Sequence, residues 1–501
     1  MGKLHWDMSK IATCLLILLM AACAAVAQPK RQVRAVWLTT AYGLDWPQSP
    51  AGQKAQLDKI LDTLSDLNVN VVMFQCRIRG DVVYRSAYEP LNRMFGGAEW
   101  HDTDPLAYVI DQCHRRGMEC HAWVVCMPLG DRRKLSAMTR RSIAAAGSGL
   151  IMQRGRQLYL DPSKAGTATY LTRLVSEIVS THDVDGVHLD YIRYPDDYRN
   201  YPSAGGMNAA QRAAARRRHI TAIVRSVHDA VRQVKPWVTV SCATIGKYRS
   251  TRRADSRGWE AFDGVGQDVG RWIDEGIIDM VCPMMYFKDG DFYPFAADWV
   301  DVTGQVPVVP ALGLYRIEYG QADWDVTEIL RQIRFAGRIG MDGIGFYRAS
   351  TLVDDTKGIA SRLGNSCLAV PALPRLGDER RGCGGASRVT VTGHVTEGRT
   401  THLSWEFEGP SDGVTFTVYA SSVYPVDTDD PRNIVETGIT ACHYTYDYTY
   451  DSQQRTFFAV TASDRYGNES APAFAGRQSP VCGRPSPGEL IFAPLKQHLM
   501  K

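Results

Sequence analysis

Several features that would mark other function classes are missing from this sequence. A formal net charge of +3 over 501 residues is too small for a nucleic-acid-binding surface. No glycine-rich phosphate loop follows any strand-like run. The twelve histidines include no close pair with the spacing of a zinc protease. Nucleic-acid binding, phosphate chemistry and a catalytic metal are therefore not expected, and no cofactor is called for. Beyond the N-terminus no apolar run approaches the roughly 18 residues that span a bilayer.

What remains has the composition of a globular protein, with 45% hydrophobic and 22% charged residues. The chain is too long for one ordinary core, so two domains are expected, one of them large enough for a barrel. Lys3 and Lys10 precede an apolar run over 11–20, and small residues then continue to Ala27. This is the pattern of a secretory signal over 1–27. Ala25-Val26-Ala27 suits cleavage before Gln28, whereas Met20-Ala21-Ala22-Cys23 resembles a bacterial lipobox, so a lipid anchor through Cys23 is the alternative. Either route implies export to the periplasm, outer membrane or surface of a Gram-negative cell, where disulfides can form. Cys367 with Cys383 and Cys442 with Cys482 are the expected bridges. Cys76, Cys126, Cys242 and Cys282 sit in apolar strand patterns and read as small buried hydrophobes.

Short β-branched and aromatic runs alternate with helical periodicity. They predict strands over 34–39, 70–77, 120–126, 186–192, 238–244, 278–286, 306–312 and 343–347. Helices are predicted between them over 53–67, 105–116, 165–180, 209–234, 267–275 and 325–339. Eight such strands imply an α/β fold, a (β/α)8 TIM barrel over 31–363. A polar linker with Pro371, Pro374 and Gly382 to Gly385 spans 364–387. From 388 to 480 polar and apolar residues alternate without a helical stripe, which predicts a seven-stranded sandwich followed by a tail over 481–501. Its Trp405 and Tyr419 runs and its Asp464-Arg465-Tyr466-Gly467-Asn468 turn resemble a fibronectin type III domain, expected to act as a spacer or to dock on envelope or glycan.

A barrel of this kind places its site at the C-terminal ends of its strands. Those ends carry Trp37, Gln75, Arg79, His121, Trp123, His188, Arg193, Tyr194, Tyr315 and Tyr347 as candidate ligand-binding residues. Rings beside hydrogen-bonding groups suit a sugar, whose CH faces stack while its hydroxyls bond. Asp190, flanked by Val187, Leu189 and Ile192, is expected in the mouth, where partial desolvation raises a carboxyl toward the range of a general acid. Glycoside hydrolysis usually needs a second carboxylate. Asp81 leads, with Asp289, Asp291 and Glu318 behind it, and Tyr286 completes the catalytic candidates.

Several of these motifs occur together in one known family. Arg34-Ala35-Val36-Trp37-Leu38-Thr39, Asp45-Trp46-Pro47, Arg79-Gly80-Asp81, Asp104-Pro105-Leu106, His121-Ala122-Trp123 and the run from Asp185 to Pro195 resemble the glycosyl hydrolase-like 10 family over about residues 31 to 360. The resemblance implies an exported TIM-barrel glycoside hydrolase acting on a bacterial or environmental polysaccharide, first of all peptidoglycan glycan strands or another amino-sugar polymer. Many members carry two adjacent aspartates where this chain has Asp190-Tyr191, and Pro-Gln-x-Tyr-Trp where it has Pro283-Met284-Met285-Tyr286-Phe287, so it stands on a divergent branch. With one obvious carboxylate, a substrate N-acetyl group acting as internal nucleophile remains an open mechanism, and Asp190 remains either acid or nucleophile. The competing expectation is a barrel that binds carbohydrate without cleaving it and serves as an envelope scaffold.

Overall fold

The computed structural model describes residues 28–49, 51–135, 143, 149–196, 206–374, 387–448 and 457–475. The expected signal, lipobox and tail lie outside these residues, as do Cys383 and Cys482, the partners expected for Cys367 and Cys442.

Eight parallel strands close into one barrel: β1 (Val33–Leu38), β2 (Val71–Arg77), β3 (Glu119–Val125), β4 (Gly186–Asp190), β5 (Thr239–Ile245), β6 (Met280–Met285), β7 (Ala311–Gly313) and β8 (Gly343–Tyr347). Neighbours around the ring follow chain order, and β8 closes against β1 with Ala35 paired to Gly345. Alternate residues face opposite sides of each strand. One set, including Ala35, Trp37, Met73, Trp123, Val125, Cys282 and Ala311, fills the interior. The other, including Val36, Phe74, Val124, Val187, Leu189 and Phe346, packs under the surrounding helices.

The barrel prediction holds, with local departures. β4 stops at Asp190 because Tyr191 takes a left-handed φ of 48° and turns the chain off the sheet. β7 is only three residues long. A helix at Tyr293–Thr303 was not among the predicted elements; Pro294 occupies its first turn, where its missing N–H costs nothing. Between β3 and the helix Ala165–Thr181 the chain inserts a small antiparallel sheet of Pro128–Asp131, Ile151–Arg154 and Gln157–Leu160. Arg154 pairs with Gln157 across a two-residue turn opened by Gly155 at φ 54°. Cys76, Cys126, Cys242 and Cys282 are all buried free thiols.

Among the described residues seven strands follow the barrel, as a three-stranded and a four-stranded antiparallel sheet. They bear on the barrel face opposite the C-terminal strand ends. Arg465 bonds Asp183, just before β4, at 2.8 and 3.2 Å, and Lys30 pairs with Glu469 at 2.7 Å. In the cleft between the units His114 meets the Asp185 carboxylate at 2.8 Å. Burial opposes the imidazolium, yet the hydrogen bond and charge of Asp185 carry it up to about 9.

Two predictions follow from this packing. A Cβ at Gly345 would lie 2.5 Å from the Trp37 ring, whereas one at Gly337, on the exposed side of the helix Val326–Arg338, meets nothing within 4 Å. Gly345→Ala is expected to cost about 1–3 kcal/mol of unfolding free energy, and Gly337→Ala to gain up to roughly 1 kcal/mol, both read from denaturant titrations. The second prediction concerns pH. Because His114 titrates higher when folded than the roughly 6.5 of a free imidazole, its stabilising contribution is complete below that pH and disappears as pH rises toward 9. Melting temperatures scanned across this window should decline more in the wild type than in His114→Gln.

Candidate active site

The C-terminal strand ends surround a cavity of about 520 Å³. Asp190 enters it as the last residue of β4, on the inward side shared with Gly186 and His188. The residue is 7% exposed, and its carboxylate accepts from the Trp123 indole N–H at 3.0 Å and from the Tyr191 backbone N–H at 2.6 Å. Burial pushes its pKa above the ordinary aspartate value, with those two hydrogen bonds and the Arg193 charge pulling against it. The result is a carboxyl held in place yet biased toward keeping a proton.

Aromatic rings form the wall. Tyr286 stacks on Tyr347 with centroids 5.4 Å apart, and Tyr315 stands edge-on to both at 5.6 and 5.7 Å. Burial raises the Tyr286 hydroxyl well above the usual phenol range, so it serves as a neutral donor. Trp37 lies on the floor and donates to His188 Nε2 at 3.2 Å, while His188 Nδ1 meets Ser241 Oγ at 2.9 Å. Burial and the neighbouring His121 hold His188 down to about 3, leaving it neutral.

Of the residues singled out from sequence, Trp37, Gln75, Arg79, Trp123, Asp190, Tyr286, Tyr315 and Tyr347 line this cavity. The others lie elsewhere. His188 is fully buried one layer below, as a support for Trp37. His121 sits deeper, against Glu119 at 3.0 Å and close to Gly186. Tyr194 falls on the helix side, its hydroxyl 2.8 Å from His219 Nδ1. Arg193 is buried beside the mouth, lying over the Tyr191 ring at 4.7 Å and paired with Asp196. Asp81 is absorbed by its own loop, accepting from Asn92 at 2.6 Å and from the Arg79 N–H at 3.2 Å. Asp291 pairs with Lys247 at 2.7 Å and Glu318 with Arg348 at 3.2 Å. Among the described residues that line the cavity, Asp190 is the one carboxylate. No group of three His, Cys, Asp or Glu side chains converges as metal ligands among the described residues.

Tyr42, Gln157, Tyr159 and Tyr191 also line the cavity without having been among the candidates, and Arg348, read from sequence as a strand-end residue, lines it too. Gln157 and Tyr159 arrive on the inserted sheet, whose signal was the alternation around Gly155. Arg348 ties three loops together by donating to Leu44 O at 3.0 Å, to Asp45 at 3.4 Å and to Glu318.

The family model for glycosyl hydrolase-like 10 matches residues 32–312, which include β1 to β6 and the cavity's carboxylate. The chain belongs to this family. It is 27% identical to glycosyl hydrolase YngK of Bacillus subtilis, over 89% of this chain and 93% of that protein. It is 28% identical to glycosyl hydrolase DigH of Escherichia coli, over 55% of this chain and 71% of that protein. Among solved structures, the PgaB (BpsB) glycoside hydrolase domain from Bordetella bronchiseptica aligns with a TM-score of 0.46 at 14% identity, covering 66% of this chain and 99% of that one. By its membership of the glycosyl hydrolase-like 10 family the protein is a glycoside hydrolase.

Gln75 shows how this hydrolase holds its rim. Its Oε1 accepts from Thr39 Oγ1 at 2.8 Å and from the backbone N–H groups of Thr40 and Ala41 at 3.0 and 2.8 Å, fixing the loop that carries Tyr42. Gln75→Leu strands these donors. It should lower unfolding free energy by about 1–3 kcal/mol in denaturant titration.

Proposed function

We propose that this hydrolase cleaves amino-sugar polymers, peptidoglycan glycan strands first among them, with Asp190 as the central catalytic carboxylate. The observation that carries this reading is the protonation-biased carboxyl of Asp190, alone among the described cavity-lining acids, beneath the Tyr286–Tyr347–Tyr315 wall. Aromatic faces suit pyranose rings, and a carboxyl whose pKa burial raises suits donation to the glycosidic oxygen.

One carboxylate suffices when the sugar brings its own nucleophile. The carbonyl oxygen of a 2-acetamido group attacks the anomeric carbon while Asp190 gives its proton to the departing oxygen. An oxazolinium results, and water then opens it as Asp190 recovers a proton. The neutral Tyr286 hydroxyl is a fitting donor to the acetamido oxygen. This route explains why Asp81, Asp291 and Glu318 can be engaged in loop contacts.

The remaining elements of the proposal concern location. Residues 1–27 have the composition of an export signal, which supports action in the periplasm or at the cell surface, with Cys23 as the alternative lipid attachment point. The strand order of the seven C-terminal strands, three in one sheet and four in the other, supports a fibronectin type III-like module. Its position behind the barrel suits a spacer better than a substrate-binding role.

The test uses peptide-free glycan strands and the same strands after de-N-acetylation. Wild type should release fragments from the first only, and Asp190→Asn should reduce release by about 10²–10⁴-fold with unchanged circular dichroism. Undiminished release by the variant contradicts the assignment of Asp190, and equal cleavage of both substrates contradicts the internal nucleophile.

A further inference from the structure

The loop after β5 carries features that the cavity does not use. Its base is closed, because the Ala261 N–H bonds Lys247 O at 2.8 Å and the Phe262 N–H bonds Tyr248 O at 3.0 Å. Residues 249–260 therefore leave and return at the C-terminal end of β5, on the rim of the mouth. The loop is also braced from within. Ser250 Oγ donates to Asp255 at 2.9 Å, the Ser256 N–H donates to Ser250 Oγ at 3.1 Å, and the Ala254 N–H donates to Thr251 Oγ1 at 3.0 Å.

At its end Arg257 and Gly258 both take left-handed φ values, 56° and 71°, which turn the chain and leave Trp259 at the surface, 38% exposed. The indole is held edge-on against Phe287 at 5.6 Å. Phe287 directly follows Tyr286 of the cavity wall but packs on the outer side of the barrel, so Trp259 stands just outside that wall. Across the mouth stands Tyr42, 63% exposed on the loop after β1, with the Arg79 guanidinium over its ring at 5.3 Å. β1 and β5 are four strands apart in an eight-membered ring, hence diametrically opposed. Trp259 thus lies at the same end of the barrel as the cavity, on the side opposite Tyr42, which lines it, with Asp190 between them.

Charge reinforces this. Arg249, Arg252, Arg253 and Arg257 on the same loop are exposed, and none forms an ion pair among the described residues. The acids of the loop are engaged locally: Asp255, itself exposed, accepts from Ser250 Oγ and from the Arg257 N–H, both at 2.9 Å, and Glu260 accepts from Ser256, so the arginines outnumber them four to two. A field of guanidiniums around an apolar ring attracts a chain with both pyranose faces and anionic groups.

We propose that loop 249–260 is a glycan-binding arm, in which Trp259 stacks on a sugar ring of an anionic polysaccharide beyond the cleaved bond while the arginines attract carboxylates along the strand. The inference rests on the cleavage site proposed at Asp190 and deepens it, making the substrate an acidic polymer cut within the chain. Because the arm is already braced, little ordering cost opposes binding.

The test measures kcat/KM on peptide-free peptidoglycan glycan strands, whose lactyl groups are free carboxylates, sorted into long strands and short fragments. Trp259→Ala should reduce the preference for long over short substrate by about tenfold, and Trp259→Phe should restore most of it. Rising salt should raise KM for long strands, and less so in the Arg252→Gln/Arg253→Gln double variant. A length preference untouched by Trp259→Ala overturns the platform, and a salt response identical in the double variant overturns the role of the arginines. Retardation of Asp190→Asn protein in gels containing the same strands separates the two proposals. Retardation that requires Trp259, with no cleavage by wild type, upholds the arm and overturns these strands as substrate. Neither retardation nor cleavage overturns both.

Discussion

The site depends on one constraint, the alternation of inward and outward residues enforced by the parallel register of β3 and β4. Trp123 pairs with His188 and Val125 with Asp190, so all four sit on the interior side. A shift by one residue would bury Leu189 in the mouth and turn Asp190 into the helix layer, where a charge has no partner. The outward set, Val187 and Leu189, is held in the apolar layer under the helices. Packing on one side of the sheet thereby fixes chemistry on the other.

The interior column is graded. Deep in the barrel Gly186 and Gly345 leave room for the His121 and Trp37 rings. Above them a neutral His188 joins Trp37 to Ser241. At the top stands the Asp190 carboxyl, braced by Trp123 and by the backbone at Tyr191, where the strand ends. Its raised pKa follows from this position, since the aromatic wall removes water faster than two hydrogen bonds can compensate. The seven-stranded unit contacts the opposite end of the barrel, leaving the mouth to its own loops.

Much of this was legible in the residues themselves. The β8 run was read to the residue and the long helix Ala209–Val234 closely, the one starting at Gly343 and the other ending just before Pro236. Asp190, the tyrosines after β6 and β7 and the one ending β8 were readable because strand-end position alone brings them to the mouth. The histidines were harder. His121 and His188 lie on inward strand positions like Trp123 and Asp190, but depth along the barrel axis depends on strand stagger, which no single strand encodes. Tyr194 follows β4 so closely that only the turn at Tyr191 decides which side it takes. Asp81 looked free because its partner Asn92 is eleven residues away on the same loop. Trp259 carried no periodic signal, and its role emerges only from its neighbour Phe287.

The central claim is that a sugar lies on the Tyr286–Tyr347 wall with its glycosidic oxygen at Asp190. A crystal structure of the Asp190→Asn protein with a bound peptide-free glycan fragment tests it most directly. The account predicts the glycosidic oxygen about 2.6–3.2 Å from the residue 190 side chain, with the ring stacked on the tyrosine wall. A fragment bound with every glycosidic oxygen out of reach of that side chain would contradict it.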